Sequence, residues 1–478
     1  MISTFTVMFL LSITVISFTI IGIVYSSGRL GSTDDFLTAR GSTGRGILSA
    51  TFLASFLGVF ILFTPPEAGS IGGITTIIGY GIGVASLYIA FLVIGPKIKS
   101  YLPEGSTLND FAQKRYGAKM HLLTVLLSLF YMFVHLVAEL TAIGLVAYQL
   151  SGVPLFYTAM LIGLGTLIYT AYGGLRASMF TDMIQMVLIG VLLIVVVWGV
   201  GYYGGGYGEI IRQTRLNAPD LLNFKNIGGI EYGLTLCIAV FASNLFHQGY
   251  WQRVYAGKDN ATLRKSLITC ILLVLPIMFV SGFLGIVSTG MEVSESPSVA
   301  LFSLVYELFP NGLILGVFIL ALVLVMSTVD TLLNATVATI TIDSQKLFKN
   351  IKMESPLKFA RIITVLLMIP AVLIASKGFS VLYLFFVADL ICVGVFFPLF
   401  YGLFNPKLTE EVALLAAVLG VVSGIPFFIA DKLLIAFSLP VLVSVFICVI
   451  GNIANNKRLT GIMSNNIKQS SNMSRRDF

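Results

Sequence analysis

Residues 326–335 read MSTVDTLLNA, and they lie within a long apolar run, between LILGVFILALVLV and TVATITI. At about 100° per residue, Ser327, Asp330, Thr331 and Asn334 share one helix face, with Thr328 at its edge. Hydroxyls in such a place have an ordinary reading, a bond to the carbonyl one turn back. Asp330 does not. An unpaired carboxylate at mid-membrane costs at least ~2.5–3.5 kcal/mol, so it must be protonated, paired or bound to a cation. A stripe of oxygen donors with few nitrogen or sulfur ligands suits an alkali or alkaline-earth ion better than zinc or copper, and sodium is the natural occupant.

The membrane setting follows from composition. The 478 residues are 57% hydrophobic and 11% charged, with a mean hydropathy of +0.96. Soluble domains carry about 25% charged residues. The apolar runs are ~20 residues long, enough to cross ~30 Å of hydrocarbon as helices, and lack the alternation of an outer-membrane barrel. The fold class is therefore an all-α integral membrane bundle. Cys237, Cys270, Cys392 and Cys448 fall in apolar runs and read as small buried hydrophobes rather than a disulfide or metal set. The first run has no basic leader or cleavage site and reads as a retained helix.

Thirteen spans are expected, the first at 4–26 and the last at 432–452. The net charge of +7 would suggest nucleic acid in a soluble protein, but here it is distributed by loop. With the N-terminus outside, only Arg212, Arg215, Lys225, Lys377 and Lys432 of the 29 basic residues fall outside, leaving 24 inside. Arg253 is among the 24, counted in a loop. Such a bias predicts N-out and C-in, hence an odd number of spans in a cell (inner) membrane. The polar stretch 453–478 reads as a disordered cytoplasmic tail. No Walker, dinucleotide or HExxH motif is present, so neither an ATP-driven pump nor an enzyme is expected.

Two spans look broken. Span two (47–64) and span seven (232–252) each carry a small-residue pair, Ala54-Ser55 and Ala242-Ser243, followed by Gly58 and Gly249. Such residues either allow close helix packing or mark breaks of the kind transporters place at their sites. A second intramembrane acid, Asp182, either pairs with Arg176, caps a helix or joins Asp330 at a cation.

Four further stretches carry a resemblance. AYGGLRASMFTDMIQ, TDDFLTARGSTGRG, GYWQRVYAGKDNATLRKS and MSTVDTLLNATVATITIDSQK are ordered and spaced as in the sodium:solute symporter family, over roughly residues 25–350. The resemblance implies a LeuT-like fold of two inverted five-helix repeats. The expected organisation is a leading helix and loop (1–30), a transport core (31–404), two trailing helices (405–452) and the tail. It also implies a sodium site formed by the carbonyls of Ala54, Leu57 and Leu324 with the hydroxyls of Ser327 and Thr328. A second sodium set, found in some members, would map onto Asp182, Ser327, Asp330 and Thr331. Position-matching places His247 at a substrate contact with Gln248 adjacent, and Phe56 and Ile61 at other substrate-facing positions.

Glu139 and His135, i and i+4 on span four, either pair with each other or touch substrate. Glu67 reads as a solvated rim residue, and Asp389 and Asn334 have no assigned role. The expectation is a sodium-coupled symporter, working as a monomer in the bilayer without nucleic acid. It would import a small polar organic solute such as proline, a carboxylate or a urea-like compound. A proton-coupled permease of the same fold and a membrane sensor without transport are the alternatives.

Overall fold

A computed structural model describes residues 2–26, 37–58, 60–294, 296–347 and 355–473. Arg29, Lys349, Lys352, Arg475 and Arg476 of the charge tally lie outside the described residues, as do the first four residues of TDDFLTARGSTGRG and the side chain of Arg176. The described residues are helical and form no strand, only an isolated bridge between Thr43 and Gly257.

The chain enters through α1 (Thr4–Ser26). It then runs through α2 (Arg45–Phe56), α3 (Phe60–Tyr101), the short α4 (Leu108–Arg115), α5 (Ala118–Ser151), α6 (Leu155–Tyr203) and the short α7 (Tyr207–Asn217). The second half runs α8 (Ile227–Ser243), α9 (Gln248–Ala256), α10 (Asn260–Gly290), the short α11 (Ala300–Leu308), α12 (Asn311–Leu347) and α13 (Pro356–Ala375). It closes with α14 (Val381–Phe404), α15 (Glu410–Ile429) and α16 (Leu433–Met473).

Among the described residues, eleven stretches are long and apolar enough to span a bilayer, where the sequence predicts thirteen. The other two are the broken span at α2 and Leu155–Ile168, which is apolar but shorter. Spans five and six, expected at 154–173 and 178–203, run together in α6. The expected polar tail continues as helix to the end of α16.

Exposed apolar side chains recur at helical spacing, as in Phe5, Phe9, Ile13, Ile16 and Ile20 on α1. On a soluble protein such stripes would drive association; here they form the lipid-facing surface. Inside, α3 packs along α10 and α8 through small residues. A Cβ on Gly285 would meet the Pro66 carbonyl oxygen at 1.9 Å, so the two backbones touch, as membrane helix pairs allow when one contributes glycine.

Both broken spans expected from the sequence are broken. Span two stops at Phe56 and resumes at Phe60. Span seven stops at Ser243, passes through a 3-10 turn (Asn244–Phe246) and an extended His247 (φ −71°, ψ 104°), and resumes as α9. Its freed backbone groups find partners, as a buried break requires. The indole of Trp251 donates to Leu245 O at 2.7 Å, and Gly249 N donates to His247 Nδ1 at 3.1 Å.

Candidate functional site

The two breaks lie at the centre of the bundle, and α12 runs past the first. A Cβ on Gly58 would sit 1.8 Å from Thr328 Oγ1 and 2.8 Å from Glu139 Oε1, so only glycine lets the broken turn reach these side chains. Ala54 and Leu57, at the end of α2, are fully buried. On α12, Thr328 donates to Leu324 O at 3.4 Å, and Ser327 donates to Asp182 Oδ1 at 2.7 Å. The structure thus brings the broken turn after α2 up to the Thr328 hydroxyl, one residue from Ser327. The Ser327 proton is engaged by Asp182, which leaves the oxygen's lone pairs to face a ligand.

The second set is arranged differently from expectation, around a cation the sequence assigns to a loop. Arg253 is fully buried in α9, and its Nη2 lies 2.8 Å from Asp182 Oδ2 with both side chains at 0% exposure. The guanidinium also donates to Thr331 Oγ1 at 3.0 Å, to Gly249 O at 2.9 Å and to Thr51 Oγ1 at 2.9 Å. Thr51 donates in turn to Asp182. Asp182 and Thr331, two of the four second-set residues, are therefore engaged by Arg253.

Asp330 faces elsewhere. Its Oδ1 accepts from Thr170 Oγ1 at 2.8 Å and from Asn334 Nδ2 at 2.7 Å. The Asn334 side chain, without a role in the sequence reading, is a donor to the buried acid on its own face. Asp330 Oδ2 and Ser178 Oγ, both buried, have no hydrogen-bond partner among the described residues.

Next to the α2–α3 break, a cavity of about 30 Å³ is lined from seven helices, room for one or two waters. Of the predicted substrate residues, Phe56, Glu139 and His247 line it, joined by His135 and Asp389. His135 stacks between Tyr131 and Phe385, ring centroids 4.1 and 4.4 Å away, and its Nε2 is buried with no hydrogen-bond partner among the described residues. Ile61 does not line the cavity: it is fully buried and its carbonyl accepts from Ser281.

Gln248 also points away. Its Oε1 accepts from Leu108 N at 2.9 Å, and its Nε2 donates to Ser128 Oγ at 2.8 Å and Asn109 Oδ1 at 3.2 Å. Asn109 continues to Asp343 at 2.8 Å, which also meets His121 Nε2 at 2.9 Å. This network ties α9 to α4, α5 and α12. Sequence reasoning missed it, because it joins three separate stretches, residues 108–128, Gln248 and Asp343, through bonds that bridge 120 to 234 residues with no local pattern. Glu67 is no rim residue; it is 5% exposed, and its Oε1 accepts from Ser298 and Ser380, each at 2.9 Å.

A multi-span bundle with two helix breaks meeting at a cavity walled by aromatic rings and two carboxylates has the form of a solute transporter rather than an enzyme. Residues 36–420 match the sodium:solute symporter family, and the chain belongs to that family. Among its relatives, the spermidine transporter DUR31 of Candida albicans is 29% identical over 80% of this chain and 71% of its own. The sodium/glucose cotransporter of Vibrio parahaemolyticus is 27% identical over 73% of this chain and 72% of its own. The fold matches a Na⁺-coupled sialic acid symporter solved substrate-bound and outward-open. That match has a TM-score of 0.72 at 19% identity and covers 94% of this chain and 98% of that one. The architecture is that of LeuT-fold transporters.

Proposed function

We propose that this chain is a sodium-coupled symporter that imports a small organic solute by alternating access, with one coupling ion per cycle. It acts as a monomer in the cell membrane, N-terminus outside and C-terminus cytoplasmic, as its loop charges favour. The observation that carries the reading is the approach of Gly58 to Thr328, which sets a hydroxyl against the end of a broken helix, with Ser327 next to it in sequence. Carbonyls inside an intact helix are committed to their own ladder, so a break beside two hydroxyls is a natural place for a hard cation. One ion is favoured over two because Arg253 already neutralises the Asp182 carboxylate of the second set.

Sodium at Ser327 and Thr328 would stabilise one state of the broken helix, the solute would bind beside it, and the inward gradient would do the work. Each ion contributes ~2.3 kcal/mol per 100 mV, plus its concentration term. Coupling requires only that ion and solute favour the same state. The relatives carry a polyamine in one case and a sugar in another, so they leave the solute open. Proteoliposomes with an inward sodium gradient should show saturable uptake that Ser327→Ala greatly reduces. Full uptake with potassium in place of sodium and no response to protons would refute the proposal.

A second reading has its own observation. Asp330, with Oδ2 meeting no donor by geometry among the described residues and Ser178 close by, is placed to carry a proton. A proton-coupled permease would take up solute under a pH gradient alone, without sodium.

A further inference from the structure

We infer that the transported solute is an organic cation of the amine class. The inference rests on the symporter reading above and concerns what its central cavity selects. Two carboxylates, Glu139 and Asp389, line that cavity, and neither lysine nor arginine does so among the described residues. Asp389 is only 4% exposed. The remaining wall carries five aromatic rings, Phe56, Phe60, Tyr80, Tyr250 and Phe385, with His135, His247 and polar groups between them. Phe60 lies 4.8 Å from Phe56 and 5.6 Å from Tyr80, ring centroid to ring centroid. Aromatic faces beside carboxylates, out of water, attract a weakly hydrated ammonium. The same carboxylates repel an anion, and little dielectric screening softens that repulsion.

The approach to the cavity has the same character. Tyr232, Leu236 and Val240 fall one turn apart along α8. Tyr232 and Asp431 are shared by two adjoining recesses, of about 550 and 210 Å³, and Leu382 is shared by the smaller recess and the cavity. Glu231 lines the first recess and Glu67 the second, and Lys432 is the sole cation lining either among the described residues. On the orientation above, this route opens outward, and its acids would raise the local concentration of a cationic solute.

A zwitterionic amino acid fits less well. Its carboxylate would need free amides at a helix break. At α9 the first ones are taken, since Gly249 N donates to His247 Nδ1 at 3.1 Å and Tyr250 N to His247 O at 3.1 Å.

The test uses the full chain in proteoliposomes under a sodium gradient, with labelled putrescine, spermidine, proline and glucose, and sodium-induced thermal stabilisation measured separately. The amines should be taken up and should compete with one another. Asp389→Asn should raise their half-saturation concentration by roughly ten- to a hundredfold, as expected for losing a charged hydrogen bond. Asp389→Glu, which keeps the charge, should retain most of the affinity, and sodium stabilisation should persist in both variants. Uptake of proline or glucose that neither amine inhibits, with sodium stabilisation intact, overturns the substrate class and leaves the symporter reading standing. No uptake of any probe and no response to sodium overturns the symporter reading beneath it. The wild-type competition decides the matter even where the Asn variant fails to fold.

Discussion

Replacing Arg253 with glutamine tests whether the buried cation is what permits Asp182 to stay in the bundle. Its guanidinium makes contacts at 2.8 Å to Asp182, 3.0 Å to Thr331, and 2.9 Å each to Gly249 and Thr51, with no exposed surface. Removing one member of such a pair strands a buried charge, and Arg253→Gln is expected to cost about 3–5 kcal/mol. Asp182→Asn strands the other charge and should cost a similar amount. The double variant has no charge to strand and loses only neutral hydrogen bonds, each worth about 0.5–1.5 kcal/mol. It should therefore be no less stable than either single variant, with a coupling energy near 3 kcal/mol, more than a hundredfold in the unfolding equilibrium. Reversible unfolding of the purified protein in mixed micelles, followed by Trp251 fluorescence two residues from the substitution, measures all four corners. Single-variant effects that simply add, within about 0.5 kcal/mol, would show that the pair does not act as a unit.

Two close approaches give simpler expectations. Gly58→Ala forces a methyl against Thr328 Oγ1 at 1.8 Å; overpacking of this kind costs about 1–3 kcal/mol. Thr328→Ala in that background should recover part of the stability in the same unfolding assay, since Thr328 Cβ at 2.7 Å and Glu139 Oε1 at 2.8 Å still crowd the methyl, without recovering sodium-dependent uptake, which separates the packing role of Thr328 from its role as a ligand. Gly285→Ala sets a methyl 1.9 Å from the Pro66 carbonyl and should push α10 away from α3. A lowered thermal midpoint is the expected outcome, and a midpoint equal to wild type would mean that this contact does not hold the helices.

The fold was legible because bilayer crossing demands long apolar runs, and the breaks because glycine beside small residues marks them. Asp330 drew attention for the right physical reason, the expense of an acid in an apolar run, yet its donors Thr170 and Asn334 required a helix face and a neighbouring helix to be seen together. Arg253 was the larger omission. It sits one residue past the expected end of span seven, where a basic residue reads as the start of a loop, and its acid lies 71 residues away. Arg176 stood closer to Asp182 in sequence, and nothing local distinguishes a lysine or arginine in a loop from one folded inward. Gln248 was linked to substrate through adjacency to His247. A one-residue step turns a helical side chain by about 100°, enough to take Gln248 out of the cavity and into the network with Asn109 and Ser128.

The same contacts suggest how ion binding is transmitted. Arg253 on α9 and Thr51 on α2 belong to the two broken spans, while Asp182 on α6 and Thr331 on α12 belong to intact helices. Their pairing therefore fastens the broken spans to the surrounding bundle on one side of the breaks, and that side cannot open without separating Arg253 from Asp182. Ser327 joins the fastening to the proposed ion site, because its proton goes to Asp182 Oδ1 at 2.7 Å, which leaves its oxygen's lone pairs for the ion, one residue from Thr328 at the break. A sodium ion on that oxygen would polarise the hydroxyl and strengthen its bond to Asp182, holding the fastening closed; loss of the ion would weaken it. Coupling of this kind needs no long-range pathway, only that one hydroxyl serve the ion and the lock at once.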